Sequence, residues 1–150
     1  MNDKVPGLSS ILLLFVALGI ADYQLFTVST LLGVIYLLCT PIVFLNLLYL
    51  YCRKCPHVKN GTCRHVLFGW VVKKLFKPLE PAQYKVKEVI LALLPLVIYV
   101  VFPLYWLFQN RSLFIAFWIL MLIAVMIVRT GVCTSCKNTH CKMCPNAPKQ

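Results

Sequence analysis

Seven of the eight cysteines fall in two short stretches. The first reads Cys52-x2-Cys55-Pro56-His57 and continues to Cys63-x-His65. The second reads Cys133-x2-Cys136-x4-Cys141-x2-Cys144-Pro145, with His140 beside it. Cysteines two residues apart can bring two thiolates to one ion, and each stretch offers four sulfur or nitrogen ligands. Metal ligation is therefore the leading chemistry, with Cys52, Cys55, Cys63 and His57 as one ligand set and Cys133, Cys136, Cys141 and Cys144 as the other. An iron–sulfur cluster in an electron-transfer component is favoured, and the alternative is a non-enzymatic membrane scaffold or sensor with structural zinc sites. Cys136-x4-Cys141-x2-Cys144 has plant-type ferredoxin spacing, and Cys55 and Cys144 each precede a proline, as does the last cysteine of the bacterial ferredoxin run. The four-residue gap, foreign to that bacterial run, and the histidines of the first set speak for zinc. Interleaved Arg53, Lys54, Lys137 and Lys142 would offset thiolate charge. Metal-free redox dithiols, and palmitoylation of Cys52 and Cys133, are the remaining readings. Cys39, inside an apolar run, reads as packing.

What must position these thiols is apolar. The chain has 150 residues, 61% of them hydrophobic and only 13% charged. Residues 5–21, 23–52, 89–110 and 112–128 carry no charge at all. Each run is near or above the roughly 17–25 residues that cross a hydrocarbon core. The expectation is an all-α polytopic membrane protein with four transmembrane helices, at about 6–21, 25–51, 88–108 and 112–129. Each cysteine stretch, 52–65 and 133–145, directly follows a span. Asp22-Tyr23-Gln24 and Gln109-Asn110-Arg111 read as outer turns. Gly19-Ile20-Ala21 resembles a signal-peptidase site, but the short gap to the next run favours a retained helix.

Charge sets the orientation. Of the 15 lysines and arginines, 14 fall on the side holding the termini and the central loop; Arg111 alone falls on the other. That asymmetry predicts cytoplasmic termini, loop and tail, in a cell or inner membrane. It also accounts for the formal charge of +11, making membrane lipids the expected partner; no recognition motif points to nucleic acid. Within the loop, residues 66–77 place Lys73, Lys74 and Lys77 on one side of a helix and Leu67, Phe68, Val71, Val72, Leu75 and Phe76 on the other. This is the pattern of an interfacial helix or of one packed on the protein's own surface; Trp70 falls on the lysine side and Gly69 weakens the helix.

With Cys52, Cys55 and Pro56 after the second span, and Cys141, Cys144 and Pro145 after the fourth, the chain resembles the membrane ferredoxin proteins that serve as quinol dehydrogenases in nitrate and nitrous-oxide respiration. Its paired cysteines are separated by two residues where that family usually has three. The resemblance implies electron transfer from quinol to a redox partner protein.

The spans also exclude functions. Asp22, Glu88, Arg111 and Arg129 are expected at span ends, which argues against a proton-driven transporter. No histidine pair stands within the spans for haem, and no nucleophile triad or phosphate-cradling loop is present.

Overall fold

The computed structural model describes residues 5–60, 63, 66–80 and 84–134. Their order is α1 (Val5–Val28), α2 (Thr30–Leu50), a 3-10 turn (Cys52–Lys54), α3 (Pro56–Asn60), α4 (Val66–Leu75), α5 (Val86–Val101), α6 (Leu104–Gln109) and α7 (Arg111–Ile127), extended by a wider final turn, Val128–Cys133. The fold is all-α. Four helical stretches, Val5–Val28, Thr30–Lys54, Val86–Gln109 and Arg111–Cys133, are long and apolar enough to cross a membrane. At 1.5 Å per residue a 24-residue helix is about 36 Å long, more than the ~30 Å hydrocarbon core.

The outward surface of the spans is apolar as well. Leu12, Leu31, Leu38, Ile42 and Phe108 are each more than 60% exposed. In water such a surface would aggregate; against lipid it needs no cover. The buried stripe of α1 runs Ala17, Leu18, Ala21, Leu25, and it meets Tyr36 and Phe44 of α2, Tyr99 of α5, Leu107 of α6 and Phe117 of α7. Helix α1 therefore lies centrally, packed on α7, α2 and α6, while α5 packs on α2. Ala17 and Ala21, one turn apart and fully buried, let neighbouring backbones come close, as small residues do between membrane helices.

Prolines shape the third span. Pro103 cannot donate to the Tyr99 carbonyl one turn back, and the helix breaks between α5 and α6. The break lets α5 lie along α2 while α6 swings onto α1. At the turn between the first two spans only Ser29 separates α1 from α2. Asn110 separates α6 from α7, and its side chain accepts from the Leu113 N–H.

The expected turn at Asp22–Gln24 is not there. Leu25 carries the buried stripe one turn beyond Ala21, and core packing holds the helix through Val28. Asp22 thus stands inside α1, about 9 Å (six residues) before its end.

Candidate functional site: juxtamembrane thiols and an intramembrane polar cluster

After α2 the chain closes a tight turn, with the Cys55 N–H donating to the Cys52 carbonyl at 3.1 Å. Pro56 opens α3, a position where its missing N–H costs nothing. Val58 of α3 is buried together with Leu48 of α2 and Val72 of α4. Cys52, Cys55 and Cys63, all half-buried, pack against this trio with Phe68, Val71 and Phe76. Gly69 allows the approach: a Cβ there would lie 3.0 Å from the Cys63 Cβ. His57 is half-buried on α3. Cys133 ends the last turn of the fourth span, which packs against the start of α1, where a Cβ on Gly131 would lie 2.7 Å from Pro6 Cβ.

These positions overturn the metal reading. Among the described residues no group of three or more histidine, cysteine or acidic side chains is arranged to hold a metal, and no two cysteines form a disulfide. The reason is local: Cys52, Cys55 and Cys63 come together, but as small apolar side chains fitted around Leu48, Val58 and Val72. The iron–sulfur and zinc assignments therefore fall, and with them the electron-transfer role and the zinc-scaffold alternative. Cys136, Cys141 and Cys144, with His65 and His140, lie outside the described residues.

The same loop is tied down on every side. Lys54 pairs with Glu88 at 2.5 Å, linking the end of α2 to the start of α5. Arg53 lies over the Tyr49 ring and donates to the Lys77 carbonyl, and the Leu79 N–H donates back to the Arg53 carbonyl. The Tyr84 hydroxyl donates to the Tyr51 carbonyl at 3.0 Å, with the two rings stacked. Helix α4 is held through Phe68 on Phe44 and Phe76 on Tyr49. Its apolar face therefore packs on the protein's own surface, the second of the two arrangements its pattern allowed. What faces outward is Leu67, Trp70, Lys73, Lys74 and Leu75, followed by Lys77; Lys74 lies 4.9 Å from the Trp70 ring centre. Ion pairs take up Lys54 and Lys59 (the latter with Glu80), while among the described residues none involves Lys73, Lys74 or Lys77.

A second polar group, unanticipated from the sequence, lies within the bundle. Asp22 and Tyr36 stand seven residues before and after Ser29, so the antiparallel α1–α2 hairpin sets them level. Tyr36 is stacked on Tyr99 of α5, ring centres 4.3 Å apart and nearly parallel. The Tyr99 hydroxyl shares a 2.6 Å hydrogen bond with Thr40, whose hydroxyl also bonds the Tyr36 carbonyl at 3.0 Å. Thr40 has one proton; if it goes to the carbonyl, Tyr99 is the donor to Thr40. Asp22 Oδ1 and the Tyr36 hydroxyl are both buried without a hydrogen-bond partner among the described residues. The signal that could have found this group is the Tyr36-x3-Thr40 spacing, one helical turn, inside an otherwise apolar run.

No protein-family model matches the chain, and no curated protein or solved structure is similar to it.

Proposed function

We propose that the chain is an integral membrane protein of the cell or inner membrane with both termini, the cysteine-bearing loop and the tail in the cytoplasm. Its cytoplasmic end is a platform that binds anionic lipid headgroups. The observation that carries this reading is the orientation of α4: its apolar side is occupied by Phe44, Tyr49 and the Leu48–Val58–Val72 cluster, so Trp70 and Lys73, Lys74 and Lys77 are turned outward. The charge asymmetry of 14 to 1 places that face at the cytoplasmic leaflet. Tryptophan suits the headgroup depth through its amphipathic ring, and each lysine near an anionic surface contributes about 1 kcal/mol. Three lysines together give about 3 kcal/mol, on the order of a hundredfold preference for anionic over zwitterionic headgroups.

The test is the melting temperature of detergent-purified protein titrated with phosphatidylglycerol or phosphatidylcholine. Phosphatidylglycerol raises it, and the triple variant Lys73→Gln/Lys74→Gln/Lys77→Gln removes most of that rise. Equal stabilisation by both lipids, or an undiminished response in the triple variant, counts against the platform. Labelling of a cysteine introduced at Lys74 only after the membrane is opened from the cytoplasmic side checks the orientation.

A further inference from the structure

We propose that Asp22, Tyr36, Thr40 and Tyr99 form a proton-binding site inside the helix bundle, with the Asp22 carboxylate as the group that takes the proton. The site is independent of the lipid platform, which lies at the other end of the bundle.

Two observations converge. One Asp22 oxygen, Oδ1, is buried and has no hydrogen-bond partner among the described residues; neither has the hydroxyl of Tyr36, a residue only 3% exposed. Buried polar atoms without partners are rare, and inside a membrane they mark function more often than packing. Both belong to one level of the bundle: Phe26 against Gly33 on one side and Phe15 stacked on Phe44 on the other fix the α1–α2 register that sets Asp22 level with Tyr36, and Tyr99 is stacked on the Tyr36 ring.

The group is equipped for either charge state. When Asp22 is ionised, the Tyr36 O–H, for which the stacked Tyr99 hydroxyl is the competing acceptor, can turn to it as donor. When Asp22 is protonated, its own O–H becomes the donor, and the Tyr99 oxygen, with its proton directed at Thr40, keeps lone pairs to accept. The step is simple proton transfer: hydronium gives its proton to the carboxylate, leaving water and a neutral carboxylic acid. The nearer aqueous phase is on the side of the Ser29 turn, about 9 Å along the helix. The titratable or charged groups in the same half of the surrounding elements are Tyr36 and Cys39 on α2, Tyr99 on α5, Tyr105 on α6 and Arg111 on α7, with Tyr49, Lys87 and Glu88 at the far ends of α2 and α5. Tyr105 and Arg111 are exposed, and Lys73, Lys74 and Arg129 belong to the opposite end. Among the described residues Asp22 makes no ion pair.

The chain has two aspartates, Asp3 and Asp22. In the Asp3→Asn variant labelled with carbon-13 aspartate, any labelled carboxylic-acid C=O stretch belongs to Asp22. Infrared difference spectra of the protein in lipid bilayers, taken across a pH series, are expected to show that band rising as pH falls, with a midpoint shifted at least tenfold in proton affinity by Tyr36→Phe. Absence of a titrating labelled band overturns the proposal. A band whose midpoint ignores Tyr36→Phe overturns the assignment of the phenol to the site.

Discussion

The side-chain amide of Asn46 donates to the carbonyl of Leu91 across 3.0 Å. Leu91 lies four residues before Pro95, so its carbonyl is the one that the missing proline N–H leaves without a helical partner. A polar residue in α2 thus repairs the backbone of α5, as lipid cannot. Asn46→Leu is expected to cost about 1 kcal/mol of stability in detergent. In a Pro95→Ala background, where the Leu91 carbonyl regains its own N–H, the same substitution should cost markedly less. A double-mutant cycle on unfolding free energies checks this.

Ala21 is fully buried on the central helix, level with the core side chains of its neighbours. Ala21→Leu forces α1 away from its partners and is expected to destabilise by about 1–3 kcal/mol. Gly19→Ala, whose added Cβ meets nothing within 4 Å, serves as the control and is expected to be neutral or slightly stabilising. Thermal unfolding of the two variants side by side decides it.

If the loop thiols are packing groups, their substitution should read as loss of packing. Cys52→Ala is expected to cost about 1 kcal/mol, and Cys52→Ser more, because the hydroxyl is placed against Leu48, Val58 and Val72. Metal content of the purified protein should be the same with and without Cys52→Ala. A drop in bound metal would restore the ligand role that the arrangement of the described residues denies.

Lys54 and Glu88 join the two ends of the loop, and Glu88 also accepts from the Lys85 N–H at 3.1 Å. Glu88→Gln weakens both contacts, and the stretch 53–88 should become more open to limited proteolysis. Because the pair is half-buried but confined to the ends of the loop, cleavage within α1 or α7 should not change. Equal protection of wild type and variant would show that the Tyr51–Tyr84 stack and the Arg53 contacts hold the loop without the ion pair.

Much was legible without coordinates, and for a physical reason. Uncharged runs of membrane-crossing length can satisfy their backbones in lipid only as helices, so the all-α fold with four apolar helices follows from composition along the chain. The count of lysines and arginines on each side is likewise a property of the sequence alone.

The site was not legible in the same way. Cysteine spacing said that Cys52, Cys55 and Cys63 could meet, and they do; it could not say that they would pack against Leu48, Val58 and Val72. The 66–77 pattern showed two faces of a helix but not which would be claimed by Phe44 and Tyr49. The polar triplet at Asp22 looked like a turn because local composition favours one, whereas Leu25 packing on the core keeps the helix intact and draws the carboxyl into the bundle. Sequence by itself determined which segments are long and apolar enough to cross a membrane and where the positive charge accumulates, since both depend only on residues summed along the chain. Only the tertiary structure decided what the thiols, Trp70 and Asp22 face, since that depends on which distant side chains arrive beside them.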